Sequence, residues 1–121
     1  MKYQNTFITL VLMLAATTLA HAHAFLDHSD PKVGSTVASS PTQVKIWFTE
    51  ELEGAFSKIR VYDSTGKEVD GKDVKVDPAD KAIMTVSVPT LAPGTYKVHW
   101  NAVAVDTHHT SGNFEFTVKG S

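Results

Sequence analysis

Hydrophobic and polar positions alternate in short runs along most of the chain. Val44, Ile46 and Phe48 are separated by more polar neighbours, and this period of two predicts a β-strand with one face in the core. Similar alternating runs lie at 59–62, 84–88, 96–102 and 114–118. Apolar residues after position 22 do not repeat with the period of a helix. The pattern therefore predicts an all-β domain.

Turn-forming segments separate these predicted strands. Residues 63–66 and 91–94 are rich in Gly, Pro, Asp and Ser, which favour tight turns. The interval 69–82 is rich in Lys and Asp and is predicted to be a long connection with at most one short strand. Short strands with turns between them favour a single Greek-key β-sandwich or small barrel.

The first 22 residues are predicted to be a cleaved signal peptide. Lys2 lies in a short basic start, an apolar run follows at 7–19, and Ala20-His21-Ala22 fits the small-x-small rule for cleavage. Cleavage there would make His23 the first residue of an exported domain spanning 23–121. Cleavage after Ala20 also satisfies the rule and would instead leave His21 first.

Composition narrows the possible functions. The 121 residues include 11 Lys+Arg and 13 Asp+Glu, giving a formal net charge of −2, and there is no cysteine. Such a chain lacks the concentrated positive charge of a nucleic-acid-binding protein. It also cannot form disulfides, thiolate metal sites or a cysteine nucleophile. We therefore expect a domain stabilised by its hydrophobic core alone.

Histidine and aspartate carry the candidate chemistry. If His23 is the first residue, its imidazole and its α-amine can bind one metal ion together as a bidentate chelate. In an extended backbone, Asp106 and His108 would project from the same face, roughly 6.5 Å apart at Cα, so both could reach one ion. His109 would then point away as a solvated neighbour. Nitrogen and oxygen donors suit Cu(II) best, with zinc and nickel as weaker alternatives.

Each of these residues also has a simpler interpretation. A histidine near a processed terminus is usually accidental, and Asp106 could cap a turn while His108 is merely exposed. His99 falls on the polar side of its predicted strand, so exposure is expected there. Met84 is predicted to be a core residue. The combination of His23 with the Asp106–His108 pair is much less expected by chance than either alone.

Four segments of the chain resemble CopC-type periplasmic copper-binding proteins. Residues 23–31 read HAFLDHSDP and are followed by Gly34 and Ser35, and residues 46–52 and 56–59 read IWFTEEL and FSKI. Residues 91–100 read LAPGTYKVHW, and 106–108 read DTH, with Gly112 and Phe116 after them. These segments occur in the order found in that family and cover essentially the whole region from residue 23.

The resemblance implies an Ig-like or cupredoxin-like β-sandwich that holds Cu(II). By position, His23 would supply its amine and imidazole, His108 an imidazole and Asp106 a carboxylate oxygen. Glu50 corresponds to an acidic family residue near the site, which we interpret as a hydrogen-bond partner of the bound amine rather than a weak ligand. The methionine-rich segment by which some members bind Cu(I) is absent, so a second site for Cu(I) is not expected.

Two classes of function follow from the resemblance. The first is a monomeric, non-enzymatic carrier or buffer of copper resistance or copper uptake in the periplasm, passing metal to an inner-membrane CopD-like partner. The second is a copper-dependent oxidative enzyme, since lytic polysaccharide monooxygenases also use an N-terminal histidine brace. The carboxylate of Asp106 argues against the enzyme, because it would occupy a position that oxygen chemistry needs open. A metal-free adhesion or interaction domain would leave the first residue unexplained.

Overall fold

A computed structural model describes residues 23–120, which form eight strands in two mainly antiparallel sheets. The strands are β1 (Leu26–Asp30), β2 (Thr36–Val37), β3 (Gln43–Phe48), β4 (Lys58–Tyr62), β5 (Lys75–Val76), β6 (Ile83–Ser87), β7 (Gly94–Val103) and β8 (His109–Val118). The described residues include no helix long and apolar enough to cross a membrane. The predicted signal peptide, 1–22, lies outside the part of the chain that is described.

The two sheets have the orders β1-β3-β6-β5 and β2-β8-β7-β4. Successive strands pass back and forth between the sheets, except for the β5–β6 and β7–β8 pairs, which stay within one sheet. All pairings are antiparallel except that of the two-residue β2 with β8. This arrangement confirms the predicted all-β sandwich.

The core lies between the sheets and comes from the alternating positions. In β3 the side chains of Val44, Ile46 and Phe48 are buried, while their neighbours are more exposed. Met84 is fully buried, as predicted. Phe48 packs edge-on against Trp100 of the opposite sheet, with ring centroids 5.3 Å apart. Alternation therefore identified the inward face of each long strand correctly.

The connections agree with the sequence in outline. The interval 69–82 holds one short strand, β5, as expected. The β6–β7 turn is closed by the Tyr96 hydroxyl, which donates a 2.6 Å hydrogen bond to the carbonyl of Ala92. The two strands nearest the N-terminus, β1 and β2, lack a clear alternation and were not located from sequence. Tertiary pairing with β3 and β8 forms them instead.

Candidate metal centre

The β7–β8 connection carries Asp106 and His108 as a tight turn at one end of the sandwich. The Thr107 N–H donates to the carbonyl of Ala104 at 2.8 Å, and the Ala104 N–H donates to the carbonyl of His108 at 3.0 Å. Thr107 has φ of 73°, a left-handed conformation that β-branched residues rarely adopt. The expectation of an extended backbone here was wrong, and a turn brings the two side chains together.

Asp106 and His108 form a hydrogen-bonded pair. Asp106 Oδ2 lies 3.1 Å from His108 Nδ1, and Asp106 Oδ1 accepts a 3.2 Å hydrogen bond from the His108 N–H. The hydrogen bond with the His108 side chain is the main reason that the pKa of Asp106 lies below its usual value. The side chains are 37% and 52% exposed respectively, so solvent reaches both. Asp106 is therefore an ionised carboxylate beside an imidazole.

The N-terminal segment is anchored between the two sheets. Ala24 is fully buried, and its carbonyl accepts a hydrogen bond from the Thr110 hydroxyl of β8. The Thr49 hydroxyl, just after β3, donates to the carbonyl of His23 at 3.0 Å and accepts from the Phe25 N–H at 3.0 Å. The sequence reasoning missed both threonines. Thr49 lies in the segment IWFTEEL, residues 46–52, but nothing in the sequence indicates its backbone partners.

His23 lies beside the turn of the β7–β8 connection. Its ring stacks on that of His108, with centroids 4.6 Å apart and planes 20° from parallel. The ring of Phe25, a residue that is 54% exposed, also stacks with that of His23, with centroids 5.9 Å apart. The fold thus brings together His23 and the Asp106–His108 pair, which are more than 80 positions apart in the chain.

Glu50 lies on the segment that runs alongside this turn. The carbonyl of its neighbour Glu51 accepts a 3.2 Å hydrogen bond from the Val105 N–H, and Leu52 pairs with Ala104. Glu50 itself is exposed and directly follows Thr49. Glu50 therefore lies on a segment whose next two residues pair with the β7–β8 connection.

The remaining histidines of the described region have other surroundings. His109 is exposed at the start of β8, as expected. His99 is half-buried, and its Nδ1 lies 2.8 Å from Oδ1 of Asn113 on the neighbouring strand. The ring of His28 stacks on Trp47 with centroids 4.3 Å apart, and its Nδ1 lies 2.6 Å from Asp27 Oδ2. The contacts of His99 and His28 therefore give these two residues partners away from the turn.

Between residues 23 and 120, no three His, Asp or Glu side chains are grouped in a way that could hold a metal ion. The candidate centre contributes two imidazoles in a stack and one carboxylate bonded to the second of them. A backbone donor, the α-amine that cleavage before His23 would create, is the additional ligand predicted from sequence.

Comparison with known proteins gives consistent results. A family model described as the CopC domain matches residues 26–119. The chain is 36% identical over 120 residues to the copper transport protein CutJ of Bacillus subtilis, covering 98% of this chain but only 22% of that protein. It therefore spans about a fifth of this longer relative.

Two solved structures are also similar. CopC from Methylosinus trichosporium OB3b matches with a TM-score of 0.76 and 37% identity, over 80% of this chain and 94% of that one. PcoC, a methionine-rich copper resistance protein from Escherichia coli, matches with a TM-score of 0.69 and 36% identity, over 81% and 100% of the two chains. These matches confirm the resemblance found in the sequence.

Proposed function

Because the chain belongs to the CopC family, whose members are not enzymes, we propose that it is a copper-binding protein that carries or buffers Cu(II) in the periplasm. The observation that carries the proposal is the proximity of the His23 ring to that of His108, with centroids 4.6 Å apart, next to the Asp106 carboxylate. The proximity of these three residues at an exposed end of the sandwich supports the proposal, although their side chains as described are not already grouped around an ion. The names of the relatives, copper transport and copper resistance proteins, support the same metal.

The proposed ligand set consists of nitrogen and oxygen donors. His23 contributes its α-amine and imidazole, His108 contributes its imidazole, and Asp106 contributes a carboxylate oxygen. Imidazole nitrogens and carboxylate oxygens in a tetragonal set suit Cu(II), which also binds most tightly among the common divalent ions. An aspartate carboxylate is ionised at neutral pH, so Asp106 can bind a cation without first losing a proton.

Glu50 is proposed to act outside the ligand set. It follows Thr49, whose hydroxyl binds the carbonyl of His23, so it belongs to the segment nearest the terminus. A carboxylate here can accept a hydrogen bond from a metal-bound amine. Such outer partners orient ligands and increase their basicity.

Reversible binding at an exposed site is what a carrier or buffer requires. We propose that the protein is exported by its signal peptide, processed to begin at His23, and functions as a monomer in copper resistance or uptake. A CopD-like transporter of the inner membrane is the proposed recipient of the metal. Solvent access to His108 and Asp106 supports transfer, since an incoming ligand can approach the ion.

The decisive experiment compares two N-termini. Protein beginning at His23 and protein retaining Ala22 are titrated with Cu(II) in competition with a chromophoric chelator. We expect one Cu(II) per chain, with binding weakened at least about tenfold by the extra residue, because the amine becomes an amide that cannot bind in the same way. Equal affinities for the two forms would contradict the proposed ligand set.

A further inference from the structure

Two threonine hydroxyls, one beside each sheet, hold consecutive carbonyl groups at the start of the described chain. Thr49 follows β3 and donates to the carbonyl of His23. Thr110 lies in β8, in the opposite sheet, and donates to the carbonyl of Ala24. Thr49 also accepts a hydrogen bond from the Phe25 N–H. Two side chains thus provide three hydrogen bonds to three successive residues.

These bonds restrict a part of the chain that is ordinarily loose. Terminal residues of domains are poorly ordered unless something ties them down. Here the side chain of Ala24 is fully buried. The carbonyl groups of His23 and Ala24 each accept a hydrogen bond from a threonine hydroxyl. The direction of the His23 backbone is therefore set by contacts with both sheets rather than by β1 alone.

We propose that Thr49 and Thr110 are positioning residues for the metal centre, an inference that rests on the proposed function. Neither hydroxyl is a metal ligand in this proposal. Their role is to hold the backbone of His23, and with it the terminal amine, beside His108 before metal binds. Preorganisation of this kind increases affinity because less chain motion has to be lost on binding. The backbone held in this way places the His23 ring beside that of His108, with centroids 4.6 Å apart.

Alternative explanations predict different behaviour for the same hydroxyls. If the threonines only stabilise the fold, their loss should lower the melting temperature and alter copper binding equally in every form of the protein. If they position the terminus, their loss should matter only when the terminal amine of His23 takes part in binding. The two cases are separated by combining a threonine substitution with an N-terminal extension.

The test is a double-mutant cycle on the full processed domain. Thr49→Val and Thr110→Val remove each hydroxyl with little change in shape, and Thr49→Ser and Thr110→Ser retain it. Each variant is made with His23 first and with Ala22 retained. Thr95→Val is the matched control, since its hydroxyl bonds to that of Thr117 at the far end of the β7–β8 hairpin. Cu(II) affinity, the paramagnetic resonance spectrum of bound Cu(II) and the metal-free melting temperature are measured.

Each valine variant should weaken Cu(II) binding about tenfold when His23 is first, in the range known for residues that orient metal ligands. The serine variants and Thr95→Val should bind within about threefold of the unsubstituted protein. In the form that retains Ala22, the valine substitutions should leave the affinity unchanged. The resonance spectrum of the processed valine variants should shift toward that of the extended protein.

Unchanged affinity in both processed valine variants would overturn the inference, as would an equal loss in processed and extended forms. Either result would leave the proposed ligand set intact if retention of Ala22 still weakens Cu(II) binding by the protein without threonine substitutions. If the extension has no effect on that protein, the proposed function fails and the inference with it. Should one valine variant not fold, the other and the two serine variants give the same comparison.

Discussion

The imidazole rings of His23 and His108 lie face to face, with centroids 4.6 Å apart and planes within 20° of parallel. One ring belongs to the segment before β1 and the other to the β7–β8 turn, which are attached to different sheets. A metal bound by both would therefore join the two sheets at this end. We therefore expect copper affinity and stability to depend on the same few residues.

Substitution of the two turn residues should weaken copper binding unequally. His108→Ala should reduce Cu(II) affinity more than Asp106→Ala, because imidazole is the stronger donor to copper and water can partly replace a carboxylate oxygen. We expect losses of about 100-fold and about tenfold respectively. Competition titration measures both. His109→Ala and His99→Ala are the controls and should change little, and an effect of His109 as large as that of His108 would show that the wrong histidine was chosen.

Copper should stabilise the fold. A ligand that binds only the folded protein adds about 4 kcal/mol when its free concentration is a thousandfold above Kd. For a domain of this size, that corresponds to a rise in Tm of more than about 10 °C. Imidazole and amine groups must lose protons to bind metal, so the rise should shrink as the pH falls below neutrality. Calorimetry at several pH values tests this, and a shift that does not depend on pH would argue against nitrogen ligands.

Reduction should release the metal. Cu(I) prefers soft thioether and thiolate ligands, and the chain has no cysteine, while Met84 is fully buried in the core. Addition of ascorbate to the copper-loaded protein under anaerobic conditions should therefore transfer copper to a Cu(I)-specific chelator within the mixing time of the assay. A protein that retained Cu(I) against the chelator would have a site that these residues do not account for.

Gly112 should not tolerate a side chain. A Cβ at this position would lie 2.6 Å from Cζ2 of Trp100, the residue opposite it on β7. Gly112→Ala should thus destabilise the protein by about 1–3 kcal/mol, the usual cost of overpacking. Denaturant unfolding measures the change. Gly54→Ala is the matched control, because its Cβ would meet Val76 at an ordinary 3.5 Å, and a similar loss in both variants would refute the steric explanation.

The carboxyl groups of Glu68 and Asp70 lie together beside β4. A hydrogen bond with Asp70, followed by desolvation and charge repulsion, raises the pKa of Glu68, while Lys72 and Arg60 oppose the shift. At pH values between the pKa of Glu68 in the unfolded chain and its higher pKa in the folded protein, the folded protein binds more protons than the unfolded chain. The contribution of Glu68 to stability therefore falls as pH rises through this window.

Replacement of Glu68 should test that linkage. Glu68→Gln removes the repulsion and supplies an amide N–H donor for Asp70, so it should raise the Tm at neutral pH by about 1–3 °C and have less effect at pH 4. Asp70→Asn should instead lower the Tm, because the Asp70 carboxylate accepts hydrogen bonds from the Val61 and Lys72 N–H groups. A loss of stability at neutral pH in Glu68→Gln would contradict the assigned cause of the raised pKa.

The sequence by itself determined the strands that form the core. Alternation at β3, β4, β6, β7 and β8 is a local signal, since a half-buried strand needs apolar residues at every second position. The candidate residues His23, Asp106 and His108 were also identified from sequence, through donor chemistry and the resemblance to the CopC family. Their roles as ligands stay predictions, as does the signal peptide before them.

Tertiary structure decided how those residues meet. The pair Asp106 and His108 was expected on an extended strand, but the β7–β8 connection closes as a turn through left-handed Thr107. The Thr49 and Thr110 hydroxyls reach backbone carbonyls 26 and 86 positions away in the chain. Any threonine can donate such a bond, and its partner depends on which strands the packing of the two sheets brings together. For that reason the residue types of the site could be read from the sequence, whereas the contacts that hold His23 in place could not.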